Sequence, residues 1–362
     1  MTWFRDLFGF EEGARYDENR AAFHVTPDGF LVTESAPPLS RRMYLGDFGT
    51  PSLAKLRALV AEMPSVTPSV DRDGDASVEN DKTNKGGGLS FAHLADPVGI
   101  ASLVRDPKHA GAVFQAASQF NCLEMVGPKV TPRQGVTGYA DDPTQGPKCA
   151  MACPAALVFR NYLCGEDGKG QGHVQIDCLS DVGEVLGNVD GSVWSMRNGY
   201  ALPADDERLI RLNERLLVDE KLVERAEAAL RVGVHWDTSV APPATHTVAQ
   251  VFASAMPVAY AKHVRSATWA PLASLVLRAA YEATLAAAVV ISRKRGGERV
   301  KVFLTALGGG AFGNRAGWIR EAIERALERY RDEPLDVVLV HYGTVVKSDL
   351  AIPTKSYSKS RA

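Results

Sequence analysis

The sequence predicts an α/β fold in which a mixed, mostly parallel sheet lies between layers of helices. Short apolar segments typical of buried strands alternate with segments whose apolar residues recur at helical spacing. The clearest alternation comes late in the chain: a strand at 300–307, a glycine-rich loop, a helix and a strand at 335–343. Alternating strands and helices form parallel sheets, because each helix returns the chain to the edge where the previous strand began.

Composition narrows the class of protein. The 362 residues carry 41 basic and 43 acidic side chains, and this net charge of −2 lacks the basic excess that nucleic-acid binding requires. With 45% hydrophobic and 23% charged residues, the chain is typical of a globular protein with two domains or one large elaborated domain. Its five cysteines imply no disulfide framework and favour a reducing compartment.

We expect a cytoplasmic protein with no membrane partner. Arg5 and Asp6 interrupt the N-terminal segment where a signal peptide needs an unbroken apolar run. The most apolar stretch, residues 269–291, has Arg278 and Glu282 near its middle. Charges at that depth favour a helix buried in the protein over a membrane span.

Residues 1–88 are predicted as an N-terminal extension, irregular at first, with a helix at 51–63 and then a polar, glycine-rich loop. The acidic segment 71–75, DRDGD, resembles the start of a calcium-binding loop. Lys82 stands where such a loop needs a bidentate glutamate. We therefore predict a solvated surface loop there and no metal site.

Residues 89–347 are predicted as one domain with an insertion at about 165–235, followed by a tail at 348–362. The predicted strands lie at 89–97, 110–118, 173–179, 232–238 and 247–255. The predicted helices lie at 146–163, 206–231, 269–291 and 316–330.

The glycine-rich loop between the last two predicted strands is the most informative segment. Its residues are Gly308, Gly309, Gly310, Ala311, Phe312, Gly313 and Asn314. Bare backbone N–H groups beside a helix N-terminus bind phosphate. The glycine spacing formally matches a dinucleotide-binding fingerprint, but the next strand ends in His341 and Tyr342, where that fingerprint needs an acid. We predict a phosphate-binding loop; the alternative is a tight turn between strand and helix.

A second polar segment, residues 118–153, runs from a strand end through a long loop into a helix. Its polar side chains are Gln119, Asn121, Glu124, Asp141, Asp142 and Gln145. Ligands of parallel sheets bind outside the carboxyl ends of the strands. Amides and carboxylates suit sugar hydroxyls, and a carboxylate can assist glycosidic cleavage. The alternative is a solvated loop whose polar residues cap the helix.

Other candidate groups have simpler interpretations. Cys149 and Cys153 stand one helical turn apart but have no third ligand nearby in sequence, so we predict core thiols. His235 and His341 each lie in an apolar strand, and we predict that they line the core or a pocket.

Four short motifs, taken together, resemble the macrodomain family. They are HLADP at 93–97, AVFQAASQFN at 112–121, TQGPKCAMAC at 144–153 and LGGGAFGN at 307–314. The wider pattern over residues 90–345 is similar to a subfamily of macrodomain ADP-ribosylhydrolases, distantly akin to poly(ADP-ribose) glycohydrolase. That subfamily includes bacterial effectors that remove ADP-ribose from arginine on ubiquitin.

The resemblance implies a three-layer α/β/α macrodomain with a site for ADP-ribose. Asp96 would hold the adenine amino group, and the loop 308–314 would bind the pyrophosphate. The residues implied beside the distal ribose and the second phosphate are Gln119, Phe120, Asn121, Gln145 and Gly146.

The chain also departs from the patterns it resembles. Cys122, Leu123 and Glu124 stand where macrodomains have a glycine run. The glycines at 86–88 lie about thirty residues before Gln119, which does not reproduce the signature of the glycohydrolases.

The prediction is an enzyme that hydrolyses ADP-ribose from arginine on modified protein, with ubiquitin as a candidate partner and without cofactor or metal. The catalytic candidates, in order, are Asp142, Asp141 and Glu124, because a carboxylate stabilises an oxocarbenium-like transition state. The alternatives are a non-catalytic reader of ADP-ribose and a hydrolase of poly(ADP-ribose) or of an ADP-ribose metabolite.

Overall fold

A computed structural model describes residues 2–63, 87–165 and 168–356 of the chain. The strands are β1 (His24–Val25), β2 (Phe30–Val32), β3 (Arg42–Tyr44), β4 (Phe48–Gly49), β5 (Ser90–Asp96), β6 (Val113–Ala117), β7 (Trp194–Arg197), β8 (Tyr200–Pro203), β9 (Gly233–Ser239), β10 (Thr247–Ala253), β11 (Val300–Leu304), β12 (Leu335–Tyr342) and β13 (Lys355–Ser356).

The α-helices are α1 (Trp3–Phe8), α2 (Tyr16–Ala21), α3 (Leu53–Glu62), α4 (Ile100–Arg105), α5 (Gln145–Met151), α6 (Pro154–Tyr162), α7 (Ser180–Leu186), α8 (Asp206–Val218), α9 (Glu220–Ala229), α10 (Ala270–Lys294) and α11 (Ala316–Arg329). Short 3₁₀ helices lie at Pro107–His109, Pro132–Gln134, Thr137–Asp141, Val258–Tyr260, Ser266–Trp269 and Ser348–Leu350.

The central sheet has the strand order β13-β5-β12-β11-β6-β10-β9-β4. Its five inner strands, β5, β12, β11, β6 and β10, run parallel to one another. The outer strands β13 and β9 run antiparallel to their inner neighbours, and β4 runs antiparallel to β9. The predicted mixed, mostly parallel sheet is therefore confirmed.

Helices cover both faces of this sheet. On one face, Gln115 of β6 bonds Thr284 of α10, and α10 in turn packs against α3, α9 and α11. On the other face, Gln250 of β10 donates to the carbonyl of Cys149 in α5, and α5 packs against α4 and α6. Apolar side chains fill both interfaces, which is why the inner strands are apolar at successive positions.

Helix α10 and the turn before it, Ser266–Lys294, are long and apolar enough to cross a membrane. Yet 89% of the most apolar part of this segment is buried inside the described molecule. The predicted buried helix is confirmed, and Arg278 and Glu282 within it pair with residues of neighbouring helices.

The N-terminal segment is more regular than predicted. It contributes α1, α2, the small antiparallel sheet β1-β2-β3 and the edge strand β4 of the central sheet. Phe4 and Phe8 are fully buried and pack with Phe10 and Phe23. These elements are only two to six residues long, so hydrophobic periodicity could not distinguish them from loops.

Two predicted helices are each broken in two. The helix predicted at 146–163 stops at Met151 and restarts at Pro154, because proline lacks an N–H and disfavours helical backbone at the residue before it. The helix predicted at 206–231 breaks at Asp219, whose side chain accepts a bond from the N–H of Leu222 and caps α9.

The strand predicted at 173–179 is wrong, because this segment bonds to side chains and a loop instead of a strand. The N–H of Ile176 donates to Gln171 Oε1 at 3.0 Å, and that of Cys178 donates to the carbonyl of Phe120 at 2.9 Å. The segment 71–75, predicted to be a solvated surface loop, and Lys82 lie outside the described residues.

Candidate active site

The site predictions converge on one edge of the sheet. Because the five inner strands run parallel, their carboxyl ends share that edge. Asp96 ends β5, the loop 308–314 follows β11, and residues 118–145 follow β6. The topology thus assembles the three predicted parts of the site from segments that lie as much as 212 residues apart, from Asp96 to Gly308.

Asp96 has one carboxylate oxygen in use and one free. Oδ1 accepts the N–H groups of Val98 at 3.1 Å and Gly99 at 3.0 Å. Oδ2 is buried and has no hydrogen-bond partner among the described residues. Tyr342 stands beside Asp96 on β12 and is 73% exposed. An acceptor beside an exposed aromatic ring suits a flat ligand with a hydrogen-bond donor.

The glycine-rich loop 308–314 is closed by its own residues. The backbone N–H of Asn314 donates to the carbonyl of Gly308 at 2.8 Å, and the Asn314 side-chain amide donates to the carbonyl of Met256 at 2.8 Å. Gly308 has φ +67°, and a Cβ there would lie 2.4 Å from the Asn314 amide nitrogen. Glycine is therefore required at 308 by both backbone conformation and space.

Three successive amides in this loop remain unused. The N–H groups of Gly310, Ala311 and Phe312 donate to no group in the described parts of the chain. Gly310 and Ala311 are exposed, and α11 begins a few residues later at Ala316. Free N–H groups close to a helix N-terminus are the chemistry that a phosphate needs.

A pocket of about 220 Å³ opens in the loop that follows β6. Its walls are formed by Glu124, Met125, Val126, Val130, Gln134, Gly135, Gly138, Tyr139 and Asp142. Pockets that enclose a whole drug-sized ligand span about 300–1,000 Å³. This pocket therefore has room for one part of a larger ligand, with two carboxyl groups, those of Glu124 and Asp142, on its walls.

Glu124 is 2% exposed, and neither of its carboxyl oxygens has a hydrogen-bond partner among the described residues. Burial raises the pKa of Glu124 to about 8; the Arg160 guanidinium and Tyr139 oppose this rise, while the charge of Asp142 adds to it. Arg160 approaches no closer than 3.8 Å. Burial therefore favours the protonated form of the Glu124 carboxyl, the form that can donate a proton.

Arg160 is held away from Glu124 by other contacts. Its Nε donates to the carbonyl of Cys122 at 2.8 Å, and its guanidinium lies 3.5 Å from the centroid of the Phe252 ring. Arg160 is fully buried, and both of its terminal nitrogens lack hydrogen-bond partners within the described residues. Charge alone therefore links Glu124 to Arg160.

Asp142 and Asp141 occupy different environments. Asp142 lines the pocket, and its Oδ1 accepts the N–H of Thr144 at 2.8 Å and the hydroxyl of Thr144 at 2.5 Å. Its Oδ2 is not used in this turn. Asp141 is exposed and is not part of the pocket wall. Of the three predicted catalytic carboxylates, the structure brings Glu124 and Asp142 together.

The predicted ribose residues fold their own loop. Gln119 Oε1 accepts the N–H of Met125 at 2.7 Å, and Asn121 Oδ1 accepts that of Leu123 at 3.1 Å. The Asn121 amide donates to Gln175 at 2.9 Å, and the N–H of buried Phe120 donates to the carbonyl of Gly199 at 3.0 Å. Asn121 is fully buried, so these side chains shape the site from behind its surface.

Gln145 and Gly146 attach α5 to the end of β6. Gln145 Oε1 accepts the N–H of Ala117 at 2.9 Å, and its Nε2 donates to the carbonyl of Gln115 at 2.8 Å. A Cβ on Gly146 would lie 1.8 Å from the Ala117 carbonyl oxygen. The predicted ligand roles of both residues stay predictions, because their contacts are with the strand.

Aromatic side chains connect the glycine-rich loop to the pocket. The rings of Tyr200, Tyr260 and Phe312 lie 5.1–5.5 Å from one another. The Tyr200 hydroxyl donates to the carbonyl of Met125, a pocket residue, at 2.7 Å. Four tyrosines of the site were not predicted from the sequence: Tyr139, Tyr200, Tyr260 and Tyr342. Of these, Tyr342 could have been recognised, because it is an aromatic residue at the carboxyl end of a predicted strand.

The described residues contain no group of three or more His, Cys, Asp or Glu side chains that could hold a metal ion. Cys149 and Cys153 are fully buried, as predicted for core thiols, and burial raises the pKa of both. His235 is fully buried beside the rings of Phe48 and Phe252, and burial lowers its pKa.

No protein-family model matches this sequence, and no curated protein matches it. Among solved structures, poly(ADP-ribose) glycohydrolase from Deinococcus radiodurans in complex with ADP-ribose is 11% identical, with 82% of this chain and 87% of that chain covered and a TM-score of 0.41. Poly(ADP-ribose) glycohydrolase from Thermomonospora curvata, bound to the inhibitor ADP-HPD, is 11% identical, with 91% and 90% covered and a TM-score of 0.39. These values are too low to transfer a function to this chain.

Proposed function

We propose that this protein is an ADP-ribosylhydrolase, which binds ADP-ribose along the carboxyl edge of its sheet and cleaves the glycosidic bond at the distal ribose. The observation that carries the proposal is the order of three sites along that edge. The free oxygen of Asp96 lies at β5, the free amides of 310–312 follow β11, and the acidic pocket follows β6.

This order matches the order of groups in ADP-ribose: adenine, pyrophosphate, distal ribose. From β5 through β12 and β11 to β6, the sheet spans three strand spacings of about 4.8 Å, or about 14 Å in all. Asp96 would accept the adenine amino group, with Tyr342 against the ring. The amides of 310–312 would bind the pyrophosphate, and the small pocket would hold the ribose.

The two carboxyl groups of the pocket suit a glycosidase mechanism. Glu124, protonated at neutral pH, donates its proton to the leaving atom as the bond to the anomeric carbon breaks. The Asp142 carboxylate stabilises the positive charge that develops on the ribose and accepts a proton from the attacking water. Water supplies the hydroxyl of the product, and Glu124 is reprotonated from solvent.

Two linkages are candidates. Arginine is supported by the sequence resemblance and by Asp142 in the pocket wall, whose charge attracts a guanidinium. An O-glycosidic bond, as in poly(ADP-ribose), is supported by the protonated Glu124. A departing ribosyl oxygen must take up a proton, whereas a departing guanidinium leaves as neutral guanidine without one.

Binding is tested first, by calorimetry with ADP-ribose. Gly310 has open space around it, so Gly310→Val should fold normally and block the approach of phosphate to the loop. Gly49→Val, at an equally open glycine of β4, is the matched control and should bind like wild type. Failure of wild type to bind ADP-ribose would overturn the proposal.

Catalysis is tested by release of ADP-ribose from ADP-ribosyl-arginine protein and from poly(ADP-ribose). Asp142→Ala should retain ADP-ribose affinity and lose on the order of a hundredfold in rate, whereas the exposed neighbour Asp141→Ala should turn over normally. An Asp142→Ala protein that melts earlier but turns over normally would identify Asp142 as a turn cap only. Binding without hydrolysis of either substrate would identify a reader.

A further inference from the structure

The N-terminal segment reaches the wall of the pocket through Glu12. Its Oε1 accepts the N–H of Val136 at 2.8 Å and the hydroxyl of Tyr162 at 2.6 Å. Its Oε2 accepts the N–H of Val136 at 2.8 Å and that of Thr137 at 2.6 Å. One carboxylate thus holds the start of the 3₁₀ helix Thr137–Asp141 and ties it to α6.

Two more contacts fix the same stretch of chain. The Trp3 indole N–H donates to the carbonyl of Thr137 at 2.9 Å. Gly135 has φ +79°, and a Cβ there would lie 2.3 Å from the carboxyl carbon of Glu12. The backbone at Gly135 therefore lies directly against Glu12, a contact that only glycine permits.

The stretch held in this way carries the chemistry of the pocket. Gly135, Gly138 and Tyr139 form one wall, and Asp142 follows the end of the 3₁₀ helix. The Tyr139 hydroxyl accepts the N–H of Glu124 at 2.8 Å. A shift of this wall would therefore change the position of Asp142 and the surroundings of Glu124 at the same time.

We infer that Glu12 is a positioning residue of the active site: its carboxylate, aided by Trp3, holds the pocket wall 135–142 so that Asp142 faces Glu124. This inference rests on the proposed function for its kinetic consequences, but its structural part stands apart from any substrate. The predicted extension would then be part of the catalytic unit.

The segment has other anchors, so loss of Glu12 should loosen the wall without releasing the N-terminus. Phe4 and Phe8 are fully buried in the aromatic cluster of the core. The Asn19 side chain accepts the N–H of Gly13 at 2.9 Å and donates to its carbonyl at 2.7 Å.

The kinetic test compares Glu12→Gln with Glu18→Gln, a change at an exposed glutamate of α2 that pairs with exposed Arg15. Glutamine has one acceptor oxygen where Glu12 uses two, so several contacts must be lost. Glu12→Gln should lower kcat about tenfold and change KM little, because adenine and phosphate bind elsewhere. Glu18→Gln should match wild type in both.

The pH profile separates positioning from stability. Glu124 faces Arg160, Tyr139, Asp142 and Cys149, and its raised pKa depends on exclusion of water. A loosened wall would admit water and lower that pKa, so the alkaline limb of kcat with poly(ADP-ribose) should move to lower pH in Glu12→Gln. A variant with a lower Tm but unchanged kcat and unchanged alkaline limb would overturn the inference.

Amide hydrogen exchange keeps the test independent of the proposed function. Peptides covering 134–143 should exchange at least tenfold faster in Glu12→Gln than in wild type or Glu18→Gln. Trp3→Phe, which keeps the ring but loses the N–H donor, should show a smaller change in the same direction and replaces Glu12→Gln if that variant does not fold. Unchanged exchange in 134–143 would overturn the inference, whereas a wild type inactive on every substrate would overturn only the proposed function.

Discussion

Buried glutamates in two regions of this molecule differ in how closely they contact arginine. In the helical layer, Glu282 of α10 lies 2.6 Å from Arg57 and 2.7 Å from Arg329, and Glu227 of α9 is likewise paired with two arginines at 2.5–3.0 Å. In the pocket, Glu124 lies 3.8 Å from Arg160 and has no hydrogen-bond partner among the described residues.

This difference in pairing matches a difference in proposed role: Glu227 and Glu282 stabilise the fold, whereas Glu124 is proposed to act in catalysis. Glu227 and Glu282 connect α3, α9, α10 and α11, and each carboxylate is compensated by direct hydrogen bonds, as buried ions require. Glu124 is equally buried, but its charge is compensated only weakly by Arg160 at 3.8 Å, and burial raises the pKa of its carboxyl. A fold tolerates such a group where it is needed for reaction rather than for stability.

The largest expected effect is the loss of a structural partner. Glu227→Gln leaves Arg278 with a weakened partner in a buried place and should lower the free energy of unfolding by about 3–5 kcal/mol. Urea denaturation at pH 7 measures the change. A variant as stable as wild type would break the comparison, because paired and unpaired glutamates would then behave alike.

Glu124→Gln, in contrast, should raise the free energy of unfolding. The pKa of this carboxyl rises from 4.5 to about 8 on folding, so the folded state loses stability as the pH rises from 4.5 through 8. Glutamine cannot ionise, and it should stabilise the protein at pH 9 by about 5 kcal/mol, at ~1.4 kcal/mol per pKa unit. At pH 4.5 the variant and wild type should unfold at nearly the same denaturant concentration.

Activity should fall as stability rises. With poly(ADP-ribose) as substrate, Glu124→Gln removes the proton donor and should lower kcat on the order of a hundredfold, about 3 kcal/mol in activation free energy, with unchanged affinity for ADP-ribose. Single-turnover release of ADP-ribose at pH 7 provides the measurement. Full activity of this variant would show that another group is the general acid, and Glu124 would then have no catalytic role to set it apart from Glu227 and Glu282.

The smallest effect is expected for an exposed pair. Arg15 and Glu18 lie 2.8 Å apart with side chains 80% and 61% exposed. Exposed pairs contribute about 0–1 kcal/mol, so Glu18→Gln should leave the Tm nearly unchanged. A large loss of Tm would show that distance, rather than burial, sets the contribution of these glutamates.

Much of the architecture was predictable, because each inner strand and α10 carry their own apolar pattern. The glycine-rich loop could also be predicted, since the backbone has positive φ at Gly308 and Gly313, a conformation that favours glycine. The breaks at Pro154 and Asp219 had sequence signals that the continuous apolar pattern outweighed. The short N-terminal elements had none, because they are stable only through packing on the rest of the chain.

The sequence by itself determined the alternation of strands and helices, and with it the edge where ligand groups gather. Only the tertiary structure decided which of the three predicted carboxyl groups share a pocket. Glu124 and Asp141 are both acids in one loop, yet Glu124 is buried, which raises its pKa, and Asp141 is exposed. Burial, and contacts such as those of Glu12 with residues more than a hundred positions away, depend on how distant segments pack, and no local pattern encodes them.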